Sequence, residues 1–384
     1  MTGFDFSDPD LLADVGEHFI VGFPDATDRA PDAIASALQA RAIGGVICFR
    51  RNLDAVEQIA SLTADIHRQV PTDAPAPWIA IDQEGGRVTR IDEPLTPIPP
   101  MAALGEAADL RDVGRISEVM ATELATLGFT LNLAPVLDVH SNPDNPVIGD
   151  RSFGSDPTRV ARCGAGFMLG HHTAGVVPCG KHFPGHGDTD LDSHLDLPVV
   201  DHDRQRLNQI ELYPFERAIA ADIPMIMTAH LMVPALDPTY PATFSPRILD
   251  GLLRRELGFD GLVITDCLEM KAVSDHYAIT DMIDLGMAAG VDIFLISHTE
   301  AKWRSAIEHL YQSAVDDPAK RTKIADNARR IRTTRRQLLG HWPRPFSPSS
   351  DLRSHLGSPQ HRALVAPYLD PRTDGDDPTA PSHT

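Results

Sequence analysis

The sequence predicts an α/β fold, a single (β/α)8 barrel of the TIM type with a short C-terminal extension. Three observations predict it. Eight short apolar runs alternate with longer stretches along the chain. The longer stretches carry apolar residues at three-to-four spacing, the period of an amphipathic helix. The runs finish in polar or glycine-rich residues, as barrel strands do where they deliver side chains to the C-terminal face. A length of 384 residues suits one such barrel with something to spare.

The first run, 18–23, has no Gly-X-Gly-X-X-Gly behind it. It therefore lacks the dinucleotide fingerprint often found in a doubly wound open sheet, the rival fold that shares this alternation. The runs 45–49, 78–81, 130–139, 176–182, 224–230, 261–266 and 291–297 follow. Between them, 54–70, 109–127, 157–174, 203–221 and 245–257 read as helices, several with Asp or Ser near the start as a cap. Strand ends are the places to look for chemistry, and these carry Asp82, Asp138, Lys181 with His182, His230, Asp266 and His298. A helical stretch continues past Trp303 to about residue 339. Residues 1–343 are thus expected to form the barrel with its C-terminal helix, and 344–384 a Pro/Ser/Asp-rich tail that is partly disordered.

Composition narrows the function. A net charge of −20 argues against general nucleic-acid or anionic-membrane binding. Four widely spaced cysteines, 48, 163, 179 and 267, read as reduced buried thiols and not as a disulfide framework or a zinc-type pair. The acidic N-terminus shows no basic segment followed by an apolar one, and no run reaches membrane-spanning length, so a cytoplasmic protein is expected.

The densest chemistry lies at 181–194, KHFPGHGDTDLDSH, directly behind an apolar run. Glycines 185 and 187 allow tight turning or close approach to a ligand, and Asp192 with His194 can place a carboxylate beside an imidazole to tune a proton carrier. The alternative is a solvated polar loop. In DQEGGRVTR, 82–90, Asp82 leaves a strand as an acceptor for ligand hydroxyls and Arg90 reaches back as a donor; a capped turn with surface ion pairs is the plainer reading. NPVIGDRSFG, 145–154, projects Arg151, either toward a ligand or against Asp150 or Asp156 to brace its own loop. GLVITD, 261–266, delivers Asp266 to the rim, where a carboxylate can attack an electrophilic sugar carbon; the alternative is a helix cap. Glu269, just past that strand end, reads as a helix-start or loop-bracing acid.

Together these motifs resemble the glycoside hydrolase family 3 β-N-acetylglucosaminidases, including the bacterial enzymes of peptidoglycan recycling, over most of residues 15–300. The resemblance implies that Asp266 is the nucleophile, that His194 paired with Asp192 is the general acid/base, and that Asp82, Arg90, Arg151, Lys181 and His182 bind the terminal N-acetylglucosamine. It implies a retaining exo-hydrolase that works through a covalent glycosyl-aspartate without metal or cofactor, on a small glycan or muropeptide such as an N-acetylglucosaminyl-1,6-anhydro-N-acetylmuramyl compound. Many relatives carry an additional C-terminal domain, which this chain is expected to lack; the oligomeric state is left open. Histidine suits the proposed double role, because its unperturbed pKa near roughly 6.5 lets one group give a proton to the leaving oxygen and later take one from water. Three rivals stand beside this reading: a metal-dependent barrel hydrolase, a phosphorylase or β-glucosidase of the same family, and a noncatalytic sugar binder. No His-Glu-X-X-His helix supports the first of them.

Overall fold

The computed structural model describes residues 6–189, 197–343, 346–369 and 377–379. Nine parallel strand segments form one sheet: β1 Phe19–Val21, β2 Gly45–Cys48, β3 Trp78–Ile81, β4 Leu131–Asn132, β5 Val177–Pro178, β6 Gly180–Phe183, β7 Met225–Thr228, β8 Leu262–Cys267 and β9 Ile293–Ile296. Their order is β5-β4-β3-β2-β1-β9-β8-β7-β6. The two ends of that list, β5 and β6, are separated in the chain by Cys179 alone, so they are two pieces of one stave. The sheet therefore closes on itself as an eight-stave barrel, and the open-sheet rival falls away. Each predicted run coincides with one stave to within a residue at its C-terminal end or encloses it. The strands read as near-continuous apolar runs because a parallel sheet inside a helical ring is buried on both faces.

Helices surround the barrel, and their starts follow from local chemistry. Asp109 accepts from the Arg111 amide, and Asp156, ahead of Pro157 at the first helical position, accepts from that of Thr158. Gly175 ends Pro157–Ala174 in the left-handed region at φ 76°. Two predicted helices are divided. The stretch 203–221 splits into Arg204–Gln209 and Tyr213–Ala220, and the long C-terminal helix breaks at Asp317-Pro318 into Glu300–Asp316 and Pro318–Leu339. The second break has a local cause, since Asp317 caps the new helix and Pro318 cannot continue the old one. Arg247–Glu256 winds as a wider helix than the period alone suggests. Beyond it, Leu352–His355 and Pro359–Val365 form helical turns; His361 Nδ1 lies 2.7 Å from the Glu123 carboxylate on Leu110–Thr126.

One buried contact makes the frame sensitive to pH. His171, fully buried on Pro157–Ala174, takes a hydrogen bond on Nε2 from Asn132 Nδ2 at 2.9 Å, and its Nδ1 lies 2.7 Å from Ser117 Oγ. Ser117 Oγ in turn donates to the Phe167 carbonyl at 2.6 Å, so the ring is held neutral with its proton on Nδ1. Burial pushes its pKa down to about 3. The unfolded chain takes up a proton near pH 6.5 that folded His171 refuses until far lower, so stability falls as pH drops below 6.5. Between pH 6.5 and 5 the expected loss from this group is about 2 kcal/mol. Urea unfolding at both pH values should show a flatter dependence for His171→Asn, and an equally steep one would acquit His171.

Candidate active site

Asn132 connects that frame to the chemistry. Its Oδ1 accepts from the Gln83 amide at 3.0 Å and its Nδ2 donates to the Gln83 carbonyl at 2.9 Å, which fixes the backbone right after β3. The buried Gln83 side chain then closes the following loop: Oε1 accepts from the Arg90 amide at 2.8 Å and Nε2 donates to the Ile91 carbonyl at 3.0 Å. Gly85 and Gly86 make the intervening turn at φ 101° and 56°, a region that side chains rarely adopt. Asp82 and Arg90 are thereby brought to the same rim.

At the centre is a buried network of alternating charge. Lys181 Nζ lies 2.8 Å from Asp82 Oδ1 and 2.7 Å from Glu84 Oε1. Arg151 grips Glu84 with two parallel bonds, Nε to Oε2 and Nη2 to Oε1, each 2.8 Å. Arg90 Nη2 stands 3.5 Å from Asp82 Oδ2. Burial alone would raise the Glu84 pKa, but the Arg151 and Lys181 charges outweigh it and hold the carboxyl far below its usual range. The Arg151 and Lys181 pKa values are raised in return, against burial, by their carboxylate partners. Glu84, Arg151 and Lys181 are therefore all charged at neutral pH.

His182 is set by a second buried carboxylate. Asp138, fully buried, lies 2.7 Å from His182 Nδ1 and accepts from the His182 and His186 amides at 3.1 and 2.7 Å. With Nδ1 so engaged, Nε2 is the nitrogen that can meet a ligand. Burial pushes His186 down to about 4, with the neighbouring His182 adding to the effect. Gly187 presses against the strand-end backbone so closely that a Cβ there would lie 1.7 Å from the Val139 carbonyl oxygen. Only glycine allows this approach. Asp192 and His194 lie outside the described residues.

A cavity of about 220 Å³ opens at the C-terminal ends of the strands, lined by Asp82, Arg90, Arg151, Lys181, His182 and Asp266, with Phe49, Leu133, Met227 and Leu295 among its apolar walls. That is below the roughly 300–1,000 Å³ of sites for drug-sized ligands and suits a small one. Asp266 sits on β8 itself, and its Oδ1 accepts from the Cys267 amide at 2.7 Å. The helix-cap alternative therefore does not describe it: the next helix, Lys271–Ser274, has Met270 at its cap. Glu269, also at the cavity, accepts from the His298 amide at 2.6 Å and braces the turn before Glu300–Asp316.

The chain belongs to glycosyl hydrolase family 3. The family's N-terminal domain model matches residues 13–334, which is most of the chain. This family 3 chain is 37% identical over 367 residues to the Beta-hexosaminidase A of Pseudoalteromonas piscicida, covering 89% of this chain and 60% of that protein. The solved family 3 β-N-acetylglucosaminidase of Paenibacillus sp. str. FPU-7 superposes with a TM-score of 0.85 at 37% identity, over 93% of this chain and 68% of that one. NagZ from Neisseria gonorrhoeae, solved with N-trifluoroacetyl-D-glucosamine, gives 0.72 at 29% identity over 92% and 98%.

Sequence reasoning named Asp82, Arg90, Arg151, Lys181, His182 and Asp266, and all six line the one cavity. It missed Glu84 as the partner of Arg151 and offered Asp150 or Asp156 in its place. Asp150 is held by Arg87 at 2.7 Å instead, and Asp156 caps a helix. A signal was present, since Glu84 stands two residues beyond Asp82 in the segment that leaves β3, but nothing in the spacing says that a loop 67 residues away will supply its cation. His230, another strand-end histidine, does not line the cavity; its ring nitrogens lie 2.8 Å from Thr243 Oγ1 and 3.1 Å from the Cys267 carbonyl. Among the described residues, Asp188, His202 and Glu211 come close enough to share a cation, but the Arg206 guanidinium already sits 3.5 Å from Asp188 and 3.1 Å from Glu211 and supplies the positive charge.

Proposed function

We propose that the protein is a retaining exo-β-N-acetylglucosaminidase that removes terminal N-acetylglucosamine from peptidoglycan-derived fragments. The observation that carries this reading is the facing of Asp266, on its strand end, to the Asp82–Lys181–Glu84–Arg151 array across a small cavity. Asp82, fixed between two cations, accepts from sugar hydroxyls, while Lys181, Arg90 and Arg151 donate to sugar oxygens. Asp266 attacks the anomeric carbon as the bond to the leaving oxygen breaks, giving a glycosyl-aspartate with inverted configuration. His194, oriented by Asp192, protonates that oxygen, then takes a proton from the water that attacks the intermediate and restores the configuration. The names of the relatives support the hexosaminidase class, and the sugar analogue bound by the Neisseria NagZ supports the choice of sugar.

No helix among the described residues is long and apolar enough to cross a membrane. All four cysteines are free and buried, which fits the cytoplasmic placement that a recycling role requires.

The test is hydrolysis of 4-nitrophenyl N-acetyl-β-D-glucosaminide beside the β-glucoside, with chelator present and phosphate varied. Selective release from the acetamido sugar, indifferent to both additions, is expected. A phosphate requirement with a sugar 1-phosphate as product would instead mark a phosphorylase, and preference for the plain glucoside would remove the sugar assignment. His194→Ala should slow substrates with poor leaving groups far more than activated aryl glycosides, and equal losses on both would take His194 out of the acid role.

A further inference from the structure

The C-terminal segment Asp377-Pro378-Thr379 lies 287 residues beyond Arg90, yet it meets that arginine at the cavity. Arg90 Nη1 pairs with the Asp377 carboxylate, and its Nη2 donates to Thr379 Oγ1 at 2.6 Å. Asp377 Oδ1 accepts from both the amide and the hydroxyl of Thr379, at 2.9 and 2.7 Å, so the two tail side chains form one unit. The rest of the Arg90 environment is equally specific. The guanidinium carbon lies 5.7 Å from the centre of the Phe49 ring, Asp82 stands at 3.5 Å, and the side chain is 3% exposed. Arg50 also feels the Asp377 charge from the neighbouring turn.

Two roles are compatible with a carboxylate on a ligand-binding arginine: a plug that competes with the ligand, or a wall that shapes the site. The cavity decides between them. Thr379 is one of its lining residues together with Asp82, Lys181 and Asp266, so about 220 Å³ remains open with the segment seated. A plug would remove that space. The Asp377 charge is spent on Arg90, so the segment presents the Thr379 side chain to the cavity.

We infer that Asp377 and Thr379 are part of the sugar-binding site, Asp377 as the positioning residue that fixes the Arg90 guanidinium beside Asp82 and Thr379 as a wall residue in contact with the bound sugar. The inference rests on the sugar-binding reading of this cavity. It assigns a function to a stretch whose composition alone suggests only a tail.

The experiment compares the full chain, Asp377→Asn, Asp377→Ala, Thr379→Ala and a chain stopped after Leu369, on 4-nitrophenyl N-acetyl-β-D-glucosaminide. KM should rise about tenfold for Asp377→Ala and for the shortened chain, less for Asp377→Asn, which keeps one acceptor oxygen, with kcat changed less than about threefold. Unchanged KM values in folded variants would overturn the inference, and a KM that falls on shortening would show a competing plug. A second readout does not need turnover. The native thiols are buried and Cys267, the one at the cavity, is pushed up to about 12 by burial, so a thiol reagent should report on Thr379→Cys alone. Saturating N-acetylglucosamine should slow that labelling at least about tenfold, since the sugar covers the wall. Equal rates with and without the sugar would sink the wall assignment. Protection by the sugar with no hydrolysis by the full chain would sustain the wall and refute the hydrolase reading, so the two failures are distinguishable.

Discussion

Asp266→Ala is expected to lose on the order of 10⁴-fold or more in kcat while still binding N-acetylglucosamine, because it removes the attacking atom and leaves the Asp82–Lys181–Glu84–Arg151 array in place. Burst kinetics and trapping of a labelled glycosyl-enzyme in the parent chain, absent in the variant, would tie the loss to a covalent intermediate. The fold should hardly notice the change. Asp266 is only partly buried, and the hydrogen bond it forms to the Cys267 amide is local. Turnover within tenfold of the parent would remove Asp266 from the nucleophile role. A collapse in thermal stability would instead show that the carboxylate serves the barrel.

The second large effect is expected at Glu84, and it should appear in stability and binding together. Its two oxygens are shared by Arg151 and Lys181 in a site where all three side chains are nearly inaccessible to water. Glu84→Gln keeps the shape and removes the charge, which leaves Arg151 buried without a carboxylate and Lys181 with Asp82 alone. Breaking a buried pair by removing one partner costs about 3–5 kcal/mol. Urea unfolding should show a loss of that order, with a raised KM for the aryl glucosaminide, since Arg151 and Lys181 lose their fixed positions. The same linkage sets the acid limit. Glu84 is depressed well below its unfolded value of 4.5, so its contribution is complete above pH 4.5 and fades as the pH falls through the depressed folded value. A loss below 1 kcal/mol in Glu84→Gln would mean that the network relaxes around the gap.

Much of this was legible in the chain. The barrel could be read because each stave is a short apolar run set between stretches with a helical period, and both signals are local. Asp82, Lys181, His182 and Asp266 could be read because strand-end residues follow directly from strand boundaries. The division of 203–221 into two helices was missed because both halves keep the same period, although Pro214 at the start of the second half is the same kind of local signal as Pro318. The neutrality of His171 was hidden as well, because it comes from burial in the folded barrel, where Ser117 and Asn132, 54 and 39 residues away, fix the tautomer.

The sequence by itself determined that eight apolar strands with polar ends would bury one core and gather carboxylates and cations at one rim. It also determined the glycines at 85, 86 and 187, whose backbone conformations or close approaches exclude a side chain. Tertiary structure alone decided which charges pair. Arg151 chose Glu84 over its neighbours Asp150 and Asp156, and Arg90 met Asp377 from the far end of the chain. The physical reason is range. Hydrophobic periodicity is written in adjacent residues, whereas a buried ion pair depends on distance and desolvation in the folded barrel, and neither exists until the barrel closes.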